Sequence, residues 1–212
     1  MTDVSPRRLL HDPANRGRRA MTVDAFYSDP HFGHHRMAEL RDFASTEEMD
    51  EALVEHYSAA VTDLDAVLWL GDAFFCSQDG ARKILARLPG TKLLLRGNHD
   101  LGHSPGWYAE AGFALVADGS LYLTLAERRV QACHYPFAGT RYGGALGDGV
   151  ERPDDRYTEL RPVRRRGEFL LHGHTHSKRQ RDGYAIHLGV DAWGLGPVGR
   201  EAVEALIREV VP

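Results

Sequence analysis

Lys92-Leu93-Leu94-Leu95-Arg96-Gly97-Asn98-His99-Asp100 is the stretch on which the fold turns. Its first five residues follow Pro89-Gly90 and form a short apolar run, which predicts a buried strand over 92–96. Its last four open with glycine and carry an amide, an imidazole and a carboxylate. A strand that ends in such a loop is where α/β folds set their functional groups. The same transition recurs on both sides. A strand predicted over 23–28 runs into Asp29-Pro30-His31-Phe32-Gly33-His34, and one over 66–70 ends in Gly71-Asp72. A strand over 129–133 leads to His134-Tyr135-Pro136, and one over 169–171 leads through His172 to Gly173-His174-Thr175-His176.

The segments between these strands set the architecture. Met49, Leu53, Tyr57 and Val61 recur every four residues and predict a helix over 47–61. A helix over 80–88 stops before Pro89-Gly90, a short one is expected over 105–112, and one over 200–210 closes the chain. Strands followed by helices in the first half predict parallel βαβ units. Runs at 113–117, 121–126 and 129–134, with tight turns expected at Asp118-Gly119 and Glu127-Arg128, predict consecutive antiparallel strands. A last strand is expected over 185–190. The sum is an α/β sandwich of two packed sheets with helices outside.

A chain of 212 residues fits one domain, here 22–212. Residues 1–21 are polar, contain Pro6, Pro13 and Gly17, and show no period, so a disordered extension is expected there, with Met21 a second candidate start. Residues 138–167, rich in Gly, Arg and Asp, read as a loop or lid insert. The net charge of −4 gives no global basic field toward nucleic acid. Two cysteines, Cys76 and Cys133, make no disulfide framework. No apolar run approaches the roughly 20 residues of a membrane span. The Arg-rich N-terminus lacks the apolar core of a secretory signal, so a cytoplasmic location is expected.

Twelve histidines are many for this length, and they gather at the strand ends. Asp-X-His and His-X-His put two donors on one side of an extended segment, because side chains repeat every second residue. Carboxylates and imidazoles converging from several loops suit a pair of divalent ions roughly 3.5–4 Å apart, which activate water and stabilise phosphoryl oxygens.

The five segments, in order from 29 to 176, resemble the motifs of the calcineurin-like metallophosphoesterases: Asp-X-His, Gly-Asp, Gly-Asn-His-Asp, a single His, and Gly-His-X-His. Gly189-Val190-Asp191-Ala192-Trp193 also resembles a small bacterial and phage branch of predicted phosphoesterases. The resemblance implies a four-layer α/β/β/α sandwich with two mixed sheets. It implies that Asp29, His31 and His176 hold one metal, that Asn98, His134 and His174 hold the other, and that Asp72 bridges them. His99 would protonate the leaving oxygen, Asp100 would orient His99, and the nucleophile would be a hydroxide bridging the metals. The donor set suits manganese, iron, zinc, nickel or cobalt alike, and manganese is the metal expected first. The implied activity is hydrolysis of a phosphomonoester or phosphodiester, on a small phosphorylated substrate such as a nucleotide or a nucleic-acid-derived molecule, away from membranes. The competing readings are a catalytically silent scaffold of the same fold and a metal-dependent nuclease subunit.

Other polar residues carry weaker expectations. His34 either contacts phosphate or supports the site, and His35 is expected to be exposed. His103 reads as a loop residue; His56, His172 and His187 read as structural. Arg164-Arg165-Arg166 is either a phosphate-facing rim or a solvated loop, and Trp193 either stacks on a base or packs. Cys76 is expected to be inert, whereas Cys133 would bias metal choice if it faced the site.

Overall fold

The computed structural model describes residues 22–143, 151–153 and 157–210; the expected N-terminal extension and parts of the 138–167 insert lie outside them. Four strands, Ala25–Tyr27 (β1), Ala66–Trp69 (β2), Thr91–Leu95 (β3) and Leu115–Ala117 (β4), run parallel in that spatial order. Val198–Gly199 (β12) pairs antiparallel with β1 and completes a mixed sheet. The second mixed sheet has the order Arg181–Asp182 (β10), Ala185–His187 (β11), Phe169–His172 (β9), Arg128–Cys133 (β6), Ser120–Leu125 (β5), with β11, β9 and β6 parallel.

Period-two burial explains how these strands bind two cores at once. Tyr27, Val67, Trp69 and Leu94 point to one face, where they meet helices His35–Leu40 (α1), Thr46–Ala60 (α2), Gln78–Leu85 (α3) and Pro105–Ala111 (α4) through residues such as Met37, Leu53, Ala81 and Tyr108. Phe26, Leu68, Leu93 and Leu95 point the other way, onto Val130, Ala132, Phe169, Leu171 and Ile186 of the second sheet. Helix Arg200–Val210 (α5) adds Val203 and Ile207 to this inter-sheet core. The outer face of the second sheet holds a smaller cluster of Cys133, Tyr135, Phe137, Leu170 and Ala185. The fold is thus mixed α/β with two mixed sheets, one of them covered by helices. No helix of the described residues is long and apolar enough to cross a membrane.

Several boundaries differ from expectation, each for a local reason. Helix α3 starts at 78, two residues early, because the Ser77 hydroxyl accepts from the Gly80 N–H and caps it. Asp118-Gly119 is not a hairpin turn. β4 belongs to the first sheet and β5 to the second, so this dipeptide carries the chain between sheets. The true β5–β6 turn is Ala126-Glu127, one residue before the expected place, with both residues left-handed (φ 46° and 60°). The strand expected over 185–190 ends at His187, and a 3₁₀ turn follows at Val190–Ala192. Within the insert, Arg141–Gly143 (β7) pairs antiparallel with Glu151–Pro153 (β8). The short elements α1, β10 and β12 had no periodic signal to announce them.

Candidate metal centre

The carboxyl ends of β1, β2 and β3 converge with those of β6 and β9, and backbone bonds lock them together. Asp29 N–H donates to the Gly71 carbonyl (3.1 Å), His31 N–H to Asp72 (3.1 Å) and Gly173 N–H to His134 (3.0 Å). The packing leaves no room for a β-carbon at several glycines of the site. One added at Gly97 would strike the Asp72 carboxylate and the His134 ring, and one at Gly173 would strike Ser28 and Asp29. Among the candidate ligands, Asp29 (φ 56°), His31 (56°), Asp72 (54°), His174 (69°) and His176 (50°) are all left-handed. Such backbone costs about 1–3 kcal/mol per residue and persists only where its surroundings over-determine it, which is typical of functional sites.

Two groups of donors result. Asp29, His31 and His176 form one, and Asp72, His134 and His174 the other; within each, the donor atoms lie within 4.8 Å of one another. Asn98 joins the second group. Its Oδ1 is 2.9 Å from His134 Nε2 and 2.9 Å from His174 Nδ1, and those two nitrogens are 3.2 Å apart. Ligands about 2.0–2.2 Å from an ion sit about 2.9–3.5 Å from each other in octahedral or tetrahedral geometry, so this triangle has the edge lengths of a metal site. Asp72 stands between the groups, its Oδ2 3.7 Å from His31 Nε2 and 3.5 Å from His134 Nε2. His134 Nδ1 donates to the Leu70 carbonyl (2.6 Å), which leaves its Nε2 lone pair facing inward.

The electrostatics also suit cations. Burial, opposed by His134 and reinforced by Asp29 and Asp100, pushes Asp72 up to about 7. Burial holds His31 well below its ordinary value. Burial and the neighbouring histidines His34, His134 and His176 bring His99 down to about 4. Both ring nitrogens of His31 are buried without a hydrogen-bond partner. At Asp29 burial is outweighed by His134, His176 and His187, which hold its carboxyl below the ordinary value, and at His134 burial is outweighed by Asp72 and Asp29, which raise its imidazole. Buried carboxylates crowded among imidazoles form a donor set that divalent ions would satisfy.

All seven expected ligands thus meet at one place. His99 lies at its open side, 45% exposed, with Nε2 3.9 Å from Asp72 Oδ2. The role expected for Asp100 is corrected. Its carboxylate accepts from the N–H groups of Asp72 (2.7 Å), Gly97 (2.8 Å) and Ala73 (3.0 Å) and from the Tyr108 hydroxyl (3.2 Å), which fills its acceptor sites and leaves none for the His99 ring. Asp100 therefore ties the Gly-Asp loop to the Gly-Asn-His-Asp loop.

Two residues that shape the site escaped the sequence reading. Asp191 Oδ2 accepts from His176 Nδ1 (2.8 Å), which leaves His176 Nε2 as the free donor. Arg41 pairs with both Asp191 oxygens (2.8 and 3.1 Å), the two side chains being only 3% and 2% exposed. Its guanidinium also donates to the carbonyls of Asp29 and Pro30, 2.8 Å each, and so holds the strained Asp-X-His loop. The Gly-Val-Asp-Ala-Trp segment was a signal for Asp191; a lone Arg41 after a helix carries none.

The remaining expectations resolve simply. His34 caps α1 by accepting from Met37 N–H, and His35 is exposed beside Glu39. His103 stacks flat on Trp107 at 4.3 Å. His172 and His187 are buried at strand ends, held down to about 4 and about 3 by burial. Arg164, Arg165 and Arg166 are exposed. Trp193 donates to the His187 carbonyl and packs against the inter-sheet core. Cys133 is buried in the outer cluster of Tyr135, Phe137, Leu170 and Ala185.

No family model matches the chain. It is 33% identical over 201 residues to the Gene 66 protein of Mycobacterium phage L5, a match covering 87% of this chain and 94% of that protein. It is 33% identical over 189 residues to the Gene 66 protein of Mycobacterium phage D29, covering 79% and 87%. The solved structure of the protein of unknown function AQ665 from Aquifex aeolicus resembles it with a TM-score of 0.60 at 20% identity, over 86% of this chain and 97% of that one, a likeness of fold. With a third of its residues shared along nearly the whole of the phage L5 protein, the chain belongs to the family of the mycobacteriophage Gene 66 proteins.

Proposed function

We propose that the chain is a dinuclear-metal phosphoesterase of the calcineurin-like class, with that class's four-layer sandwich, acting on a phosphodiester or phosphomonoester of nucleotide or nucleic-acid origin. The observation that carries the proposal is the pairing of two three-residue donor groups across one shared carboxylate, Asp72. Asp29, His31 and His176 would hold one ion, and Asn98, His134 and His174 the other; manganese is the first choice, with iron, zinc, nickel and cobalt compatible. When bound, such a pair supplies a water of lowered pKa and charge stabilisation for phosphoryl oxygens.

The protein's own groups do the rest. Arg41 and Asp191 fix His176, Leu70 fixes His134, and Asp100 fixes the loops that carry Asp72 and His99. His99 faces the open side, within reach of a leaving oxygen. An anionic phosphoryl group beside it opposes the neighbouring histidines and favours its protonated form, so that it can donate a proton as the ester bond breaks. The thiols of Cys76 and Cys133 are free, in keeping with a cytoplasmic setting.

The test is hydrolysis of a chromogenic phosphodiester and its monoester counterpart by metal-stripped protein, with manganese, nickel, zinc, iron or magnesium added back. Metal-dependent turnover that falls at least 1,000-fold (about 4 kcal/mol) in Asp72→Ala is expected, and a smaller loss in His99→Ala. Turnover of neither ester with any metal, or full turnover in Asp72→Ala, would overturn the proposal.

A further inference from the structure

Beside the donor groups lies an apolar side chain that the chemistry so far leaves unused. Phe75 is 37% exposed, the most exposed aromatic side chain among the large hydrophobics of the described residues. Its ring lies against His31 in a stacked geometry (centroids 5.2 Å, interplanar angle 24°). The His34 ring meets it edge-on at 4.0 Å and His99 flanks it at 4.9 Å. His31 stacks on the ring, His34 and His99 flank it, and the rest of it is open to solvent.

The ring is also held in place. Phe75 N–H donates to the Phe32 carbonyl (2.7 Å), and Phe32 bridges Phe74 in parallel register. A β-carbon at Gly33 would press on the Phe75 carbonyl at 3.3 Å, so the two loops are closely seated. His34, which buttresses the ring, is itself pinned as the cap of α1. A rigid aromatic surface on the rim of a polar site binds a planar partner at little cost in conformational freedom.

Which partner is decided by place. Phe75 touches His99, the group on the leaving-oxygen side, so whatever lies on Phe75 is part of the leaving group. We propose that Phe75 is a specificity-determining stacking platform for the base of a nucleoside leaving group. This rests on the phosphoesterase reading above and narrows it from phosphate esters in general to those whose departing alcohol carries a nucleobase.

The experiment compares two diesters with the same scissile bond: the methyl ester of adenosine 5′-monophosphate and the methyl ester of base-free 1-O-methylribose 5-phosphate. Base–aromatic stacking is worth about 1–3 kcal/mol per base, so the metal-loaded wild type should release the nucleoside with kcat/KM about tenfold or more above that for the base-free ester. That ratio should fall to about twofold or less in Phe75→Leu and return in Phe75→Trp. A second measurement is independent of turnover: calorimetric binding of adenosine 5′-monophosphate against ribose 5-phosphate to metal-loaded protein, with the same loss expected in Phe75→Leu. A wild type indifferent to the base in both measurements, or a Phe75→Leu variant that keeps the preference, overturns the proposal. If neither ester turns over while the base still tightens binding through Phe75, the platform stands and the hydrolytic reading falls.

Discussion

Replacing Asp191 by asparagine is the sharpest perturbation the structure offers. The substitution keeps shape and volume. An amide oxygen can still accept from Arg41 Nε, which lies 2.8 Å from Asp191 Oδ1. The amide nitrogen then replaces Oδ2, the acceptor for both His176 Nδ1 and Arg41 Nη2. In that orientation His176 can answer only by accepting at Nδ1, which moves its proton to Nε2, the atom that must be bare to bind a cation; in the flipped one the amide N–H₂ faces Arg41 Nε instead, so either way the group that orients His176 is weakened. Loss of such an outer partner costs about 10- to 100-fold in metal affinity, or about 1.4–2.7 kcal/mol.

The penalty should fall on the ion held by Asp29, His31 and His176, because the ligand that Asp191 bonds to is His176. Metal-buffered titration followed by elemental analysis should therefore show two tight ions in wild type and one tight plus one weakened ion in Asp191→Asn. Stability should fall as well. Burial alone would raise the Asp191 carboxyl, but His176 and Arg41 outweigh it and hold it well below the usual range. Removing one charge of a buried pair costs about 3–5 kcal/mol at most, and at about 2–4 °C per kcal/mol for a chain of this size, Tm should drop by several degrees. Two tight ions with unchanged affinities in Asp191→Asn would refute the tautomer argument.

Two further substitutions probe the scaffold. Asp100→Asn points an amide N–H₂ at backbone donors whichever way it turns, since each oxygen accepts at least one backbone N–H; a loss of about 2–3 kcal/mol is expected by chemical denaturation, and a loss near zero would show the loops are not tied through it. Asp50, which accepts from Gly33 N–H at 3.0 and 3.1 Å, is pushed up to about 6 mainly by burial. Its folded pKa lies above the unfolded value near 3.9, so the folded state favours the protonated acid and loses stability as pH rises from about 4 through 6. Asp50→Asn should thus match wild type near pH 4 and exceed it above pH 6, by about 1 kcal/mol once screening of this half-buried group is allowed for; an advantage that instead grows toward low pH would reverse the sign and sink the assignment.

What could be read from sequence was whatever two neighbouring residues decide together. Leu93-Leu94-Leu95 before Gly97-Asn98 announces a buried strand running into a polar loop, and the same grammar located all five loops that meet in space. Contacts between distant residues have no such grammar. Arg41 and Asp191 are 150 positions apart and reveal their pairing only when the Asp-X-His loop and the 3₁₀ turn after β11 are folded against each other. Asp100 was expected to orient His99, because the family resemblance and the habit of carboxylates fixing imidazoles both point there. In the fold its oxygens turn inward to backbone N–H groups, and the usefulness of a carboxylate as a loop tie depends on unpaired donors that sequence does not display. β12 and β10 are two residues each, too short for any period. The turn at Ala126-Glu127 was misplaced by one residue because neither residue advertises the left-handed conformation it adopts.

The site is arranged against the interest of the fold, and that can be measured at His31. Its left-handed backbone is unfavourable, and its imidazole is buried with both nitrogens unpartnered. Each unsatisfied buried group costs about 1–3 kcal/mol. A leucine at this position keeps the apolar contact with Phe75 and has no polar atoms to strand, and most of the backbone cost is common to both residues. In the presence of a chelator, His31→Leu should therefore be at least as stable as wild type, by about 1–3 kcal/mol, or several degrees in Tm. With divalent metal the order should invert, because ligands that bind only the folded state stabilise it by RT ln(1 + [L]/Kd) and wild type alone has the complete donor set. A His31→Leu variant that is less stable than wild type in chelator would mean that this imidazole is held for packing. An inversion on adding metal would mean that the fold tolerates a locally unfavourable residue because a bound cation restores what that residue costs.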